Sequence, residues 1–192
     1  MKQFDQAFNA KLLCGVDEVG RGPGAGPLVV CAIIMPKQTS FNLTKDSKGY
    51  SRKKREYYNE LILNECIEYK IVLIDNEEID RINILNATKK AMTEAIENLS
   101  HKPDKIIIDY VKLDLENSIS FTKGDEKSFT IACASIVAKV YRDNLMCEYH
   151  KLYPEYNFNK NMGYLTKEHI QAINQFGLTP IHRKSFKKVS KQ

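Results

Sequence analysis

Apolar residues along this chain fall first into short continuous blocks and later into helical stripes. Residues 12–17 form a short apolar segment suited to a buried strand, and residues 27–35 form a longer one bounded by Pro27 and Pro36. Residues 69–74 read as a third strand. Ile106-Ile107-Ile108 is a β-branched run of the kind covered on both faces of a sheet, and it ends at Asp109. Residues 119–122 are a weaker fifth strand. Residues 51–68 contain neither Gly nor Pro and open on Ser51, a good helix cap. Residues 86–99 repeat Ala87, Ala91, Ala95 and Leu99 at helical spacing, a narrow stripe that packs closely. Residues 128–149 give the longest helix, and residues 166–176 the last, stopped by Gly177 and Pro180. Strands first, then strands alternating with helices, predict an α/β or mixed-sheet single domain over residues 1–192.

Composition narrows the class. A chain of 192 residues with 43% hydrophobic and 28% charged residues buries a core without help from disulfides. The longest apolar run, residues 28–35, is too short to span a membrane, and the first ten residues do not resemble a secretory signal. Five cysteines without a CxxC pair, each within a strand or helix, point to a reduced, cytoplasmic protein. The net charge of +5 is uneven: residues 181–192 hold Arg183, Lys184, Lys187, Lys188 and Lys191 and no acid. Such an end either steers a polyanion or is a solvated terminus.

The chemistry concentrates at Cys14-Gly15-Val16-Asp17-Glu18-Val19-Gly20-Arg21-Gly22-Pro23. Paired acids beside a glycine-rich cationic loop suit metal-dependent work on a phosphodiester. Neighbouring side chains on a strand point to opposite faces, so Asp17 and Glu18 share a site only if the chain leaves strand geometry between them. Asp109 ends a buried strand, where functional groups of α/β sheets gather, or else it caps a turn. On the longest helix, Phe129, Ala132, Cys133, Ile136, Val140 and Cys147 form one face with Asp143 in its middle. A carboxylate there is ion-paired with Lys139, Arg142 or a distant arginine, or is protonated, or binds a metal. Four converging acids would repel one another unless Mg²⁺ or Mn²⁺ bound between them. His101, His150, His169 and His182 show no zinc spacing, and Ala25 breaks a G-x-G-x-x-G fingerprint.

Several motifs in order resemble the bacterial ribonuclease HII (type 2 ribonuclease H) family. They are Gly15-Val16-Asp17-Glu18-Val19-Gly20-Arg21-Gly22-Pro23, Asp46-Ser47-Lys48, Asn83-Ile84-Leu85-Asn86-Ala87-Thr88 and Ile108-Asp109. Lys123-Gly124-Asp125, Ala134-Ser135-Ile136-Val137-Ala138-Lys139-Val140-Tyr141-Arg142-Asp143, Gly163-Tyr164 and His182-Arg183-Lys184-Ser185-Phe186 complete the set. The resemblance covers nearly the whole chain, with a core over residues 12–186 and a basic tail over residues 187–192.

It implies a ribonuclease H-like fold: a mixed five-stranded sheet flanked by helices, with a C-terminal helical segment. It also implies hydrolysis of RNA in RNA–DNA hybrids and incision 5′ of single ribonucleotides in DNA, giving 3′-hydroxyl and 5′-phosphate ends. The family's metal-binding acids match Asp17, Glu18, Asp109 and Asp143, with two Mg²⁺ or Mn²⁺ ions during catalysis. Gly20, Arg21 and Gly22 match the element that reads the ribose 2′-hydroxyl, and Tyr164 matches the tyrosine that packs on the neighbouring sugar. Phosphate contacts are expected from Arg21, Ser47, Lys48, Lys160 and Arg183, with Lys123 and Asp125 supporting the site or forming a turn. The expected partners are hybrid duplex and ribonucleotide-containing DNA, with no membrane, and the expected state is a monomer. Two departures stand out. Gly24 replaces a larger residue, which predicts a looser loop, and Gly49-Tyr50 replaces Lys-Leu, which predicts one phosphate contact fewer.

Overall fold

The computed structural model describes residues 1–44 and 49–189. Its centre is a five-stranded sheet in the order β3-β2-β1-β4-β5. The strands are β1 (Leu13–Val19), β2 (Leu28–Ile34), β3 (Glu68–Ile74), β4 (Lys105–Asp109) and β5 (Ser118–Phe121). β1 pairs antiparallel with β2 and parallel with β4, while β2–β3 is antiparallel and β4–β5 parallel. The sheet is therefore mixed, and all five strand expectations hold.

Helices cover both faces. On one side lies α4 (Ile84–Glu97), with Ala87, Ala91 and Ala95 fully buried against β2 and β3 as the small-residue stripe predicts. Asn83 caps it, its side chain accepting from the backbone N–H groups of Leu85 and Asn86. On the other side lies α6 (Phe129–Leu152), 24 residues long and capped by Ser128. A Cβ added at Gly15 would fall 2.6 Å from the Thr130 carbonyl carbon. Glycine there lets α6 cross directly over β1, which brings the middle of α6 over the carboxyl end of that strand. Next to α6 packs α2 (Arg52–Glu65), capped by Ser51.

Several short elements escape the periodicity reading. They include α1 (Lys2–Gln6), α3 (Asn76–Ile82), α5 (Gly124–Lys127) and α7 (Phe158–Asn161). Each is too short to show a repeat, and tertiary contacts hold it. Phe4 and Phe8 pack edge-on against Phe121, and Asp5 accepts from the Thr130 N–H and hydroxyl, both at 2.8 Å. The last helix, α8 (Lys167–Phe176), ends at Gly177 as expected and closes a small cluster around Met146, Tyr156 and Phe158. Among the described residues no helix is long and apolar enough to cross a membrane.

Candidate active site

Parallel pairing of β1 with β4 sets the frame. Val16 lies opposite Ile108, so Asp17 and Asp109 follow one step on in adjacent strands. β1 keeps its pairing through Val19, and the break expected between Asp17 and Glu18 comes instead at Gly20, whose φ is +97°. A side chain at that φ is strained, and an added Cβ would run into the Arg142 guanidinium. Asp17 and Glu18 are thus consecutive residues of one paired strand, and both carboxyls feel the charge of Asp109 on the neighbouring strand.

Asp17 is 3% exposed. Its Oδ1 accepts from the Glu18 N–H at 2.7 Å, while its Oδ2 is buried with no hydrogen-bond partner among the described residues. Burial, followed by the charges of Glu18 and Asp109, pushes this carboxyl well above the ordinary range. Glu18 is also raised by burial, partly offset by the Arg21 guanidinium 3.3 Å from its Oε1; its Oε2 is likewise buried and unpartnered among the described residues. Asp109 Oδ1 accepts from the Gly124 N–H at 2.7 Å, which fixes its orientation from α5.

Asp143 occupies the buried face of α6 at 4% exposure, as the helical periodicity predicts. Of the readings open for it, the structure shows ion pairing. Lys139 Nζ lies 2.5 Å from its Oδ1 and Arg55 Nη2 3.3 Å from its Oδ2. Arg142 turns away, as its helix position requires. Among the described residues, no three Asp, Glu, His or Cys side chains stand as a group around one ion position. As they stand, Asp17, Glu18 and Asp109 influence one another by charge without enclosing a single ion position among the described residues. Lys139 and Arg55 hold Asp143. The donor set still fits a hard divalent cation. Two buried, partnerless carboxylate oxygens that repel each other's charge are an arrangement that such an ion relieves.

The glycine loop beside the acids is held rigidly. Arg142 donates to the carbonyls of Pro27 (2.9 Å), Ala25 (3.1 Å) and Met162 (2.9 Å). Arg183 donates twice to the Gly26 carbonyl, at 3.0 and 2.7 Å, and to that of Arg21 at 3.2 Å. Arg183 is fully buried, which corrects its expected phosphate contact: its guanidinium is spent on loop carbonyls and does not reach solvent. Gly24 is a second correction. Leu165 and Val189 fill the space a side chain would take, 2.8–2.9 Å from an added Cβ, so the loop is packed rather than loosened.

Gly22 is exposed, and an added Cβ there would lie 3.4 Å from Tyr164 Cε1. Tyr164 itself is 51% exposed, so the loop backbone and an open aromatic face share one edge. Arg21 also lies over the Tyr110 ring, 5.5 Å from its centroid. Lys160 sits exposed on α7. Ser47 and Lys48 lie outside the described residues. Nearby Tyr50 is buried and stacked on Tyr58, with its hydroxyl 2.9 Å from that of Thr44 and its carbonyl accepting from Arg55. Asp125 is buried, and Lys123 pairs with Glu126 at 3.3 Å.

Sequence reasoning allowed a distant arginine on Asp143 without identifying Arg55, and it missed the carbonyl contacts of Arg142 and the placing of Tyr110. Only Lys139, four residues before Asp143, carried a local signal; Arg55 reaches its partner across 88 positions.

A sequence model of the family described as ribonuclease HII matches residues 14–189. The chain belongs to the ribonuclease HII family. It is 48% identical over 181 residues to the ribonuclease HII of Aquifex aeolicus, covering 94% of this chain and 92% of the relative. It is 49% identical over 184 residues to that of a Sulfurihydrogenibium strain, covering 95% and 92%. A crystal structure of ribonuclease H2 from Pyrococcus horikoshii superposes with a TM-score of 0.81 at 26% identity, covering 94% of this chain and 96% of the other. The fold is that of ribonuclease H, and the chain is an endoribonuclease that hydrolyses phosphodiesters.

Proposed function

We propose that this chain hydrolyses the RNA strand of RNA–DNA hybrids and cuts 5′ of single ribonucleotides embedded in DNA, leaving 3′-hydroxyl and 5′-phosphate ends. The observation that carries this reading is the shared edge of Gly22 and Tyr164 beside the Asp17–Asp109 strand ends. Backbone N–H groups of Gly20, Arg21 and Gly22 read the ribose 2′-hydroxyl, which is what separates RNA from DNA at a site. The open ring of Tyr164 packs on the sugar next to it, and the Arg21 and Lys160 side chains meet phosphates. Two buried arginines hold the loop, so little reorganisation is needed when substrate arrives.

Asp17, Glu18, Asp109 and Asp143 hold divalent cations, the last after exchanging its Lys139 and Arg55 pairing. Bound there, Mg²⁺ or Mn²⁺ supplies an activated water and neutralises charge on the leaving oxygen. Asp109 keeps its orientation through the Gly124 N–H. In this role the chain removes isolated ribonucleotides and RNA primers from DNA, without a membrane partner. The test is a DNA duplex with one ribonucleotide, incubated with Mg²⁺ or Mn²⁺. A single incision 5′ of that ribonucleotide is the expected product, and an intact strand contradicts the reading.

A further inference from the structure

Two histidines outside the acid cluster are fully buried: His169 on α8 and His182 in the segment after it, their ring centroids 5.2 Å apart. The hydrogen bonds around them determine where each proton sits. The Thr179 backbone N–H can only donate, and its nitrogen lies 2.9 Å from His182 Nδ1. His182 Nδ1 is therefore an acceptor, and the neutral ring carries its proton on Nε2. That N–H points to His169 Nε2 at 3.0 Å, which must accept. His169 then holds its proton on Nδ1, 2.9 Å from the carbonyl oxygen of Tyr164. A carbonyl can only accept, so the chain of donors reads the same from either end. A second proton on either ring would set two N–H groups against each other.

Both ends of this chain meet the substrate-reading elements. One end holds the Tyr164 carbonyl. At the other, His182 forms an antiparallel bridge with Ala25, and the next residue's N–H, from Arg183, donates to the Gly24 carbonyl at 2.9 Å. Gly24 in turn donates its N–H to the Gly163 carbonyl at 2.9 Å, which closes a ring of contacts through the two segments. Tyr156 and Phe158 pack their rings around the pair and keep water out.

We infer that His169 and His182 form a tautomer-locked pair that positions Tyr164 against the glycine loop and so sharpens recognition of a ribose at an RNA–DNA junction. Both are positioning residues, since neither reaches solvent. The junction part of this inference rests on the reading given under Proposed function; the tautomer assignment does not.

Two measurements test it. Long-range ¹H–¹⁵N spectra of the folded protein should show His182 as the Nε2–H tautomer and His169 as the Nδ1–H tautomer; either ring in the other form overturns the pair. The second compares two variants on a single-ribonucleotide duplex and on a uniform hybrid. His169→Asn places an amide where Nδ1 sits and keeps the donor to Tyr164, whereas His169→Gln places one where Nε2 sits and loses it. His169→Gln should raise KM on the single-ribonucleotide duplex about tenfold, the size of one lost hydrogen bond, with kcat on the uniform hybrid within about twofold. His169→Asn should stay within about threefold of wild type on both. Equal losses in the two variants, or equal KM changes on the two substrates, overturn the positioning role. A wild-type protein that cuts neither substrate overturns the function reading, and the spectra then test the pair alone.

Discussion

The carboxyl end of the sheet and the glycine loop beside it solve opposite problems. Around Asp17 and Glu18, one buried oxygen of each lacks a partner among the described residues, and like charges crowd together. Around the loop from Gly20 to Gly26, two buried guanidiniums and three intersegment backbone hydrogen bonds, two of them forming the Ala25–His182 bridge, tie the backbone down. A region left short of partners binds what supplies them. A region tied at many points to its neighbours holds its shape. The first is suited to chemistry and the second to reading a substrate, and substitutions should separate them.

The largest effect should come from the unsatisfied end. Asp109→Asn should lower kcat by at least about 10³-fold on both a single-ribonucleotide duplex and a uniform hybrid, because under the proposed function it removes a charged metal ligand. Binding of the duplex and the melting temperature should change little, which a gel-shift titration and a thermal scan would check.

At the satisfied end the loss should fall on stability. Arg183→Met removes a buried guanidinium and leaves the Gly26 and Arg21 carbonyls without donors. Its cost should be about 3–5 kcal/mol, and the melting temperature should fall by roughly 10 °C. An unchanged melting temperature would mean that the loop does not depend on its staple.

These two arginines also mark where the sequence stopped being informative. Continuous apolar runs located all five strands, and periodicity located α4 and α6, because a buried face leaves a repeat in the residues that form it. The same periodicity placed Asp143 on the buried face. Nothing local tells that Arg142, one residue earlier, reaches the carbonyls of Ala25, Pro27 and Met162, or that Arg183 is spent on Gly26. Backbone carbonyls carry no residue identity, so their partners are visible only once the segments are brought together. Short helices such as α1 and α5 stayed hidden for a related reason: packing across the fold, rather than their own pattern, makes them helical.

A smaller effect should appear with acid, and its sign follows from the histidine pair. Burial, together with His169, pulls His182 down to about 4 from its ordinary 6.5. Above about pH 6.5 both folded and unfolded chains leave it neutral. Between about 6.5 and 4 the unfolded chain takes up a proton that the folded one refuses, so folding stability should fall as pH drops through that window. The raised carboxyls of Asp17 and Glu18 act with the opposite sign, gaining protons in the folded state. The histidine contribution is therefore the difference between wild type and His182→Asn. Urea denaturation from pH 7 to 4 should show the steeper loss in wild type, and parallel curves would contradict the assignment.

The division of labour itself is tested most directly by Tyr164→Ala, which removes a half-exposed ring and leaves every acid in place. Its kcat/KM should be measured on a duplex with one ribonucleotide and on a uniform RNA–DNA hybrid, under one metal concentration. The expected result is a loss on the single-ribonucleotide duplex at least about tenfold greater than on the uniform hybrid, in line with one lost stacking contact. An equal loss on both substrates would contradict the account, because the acids and the reading edge would then act as one site rather than two.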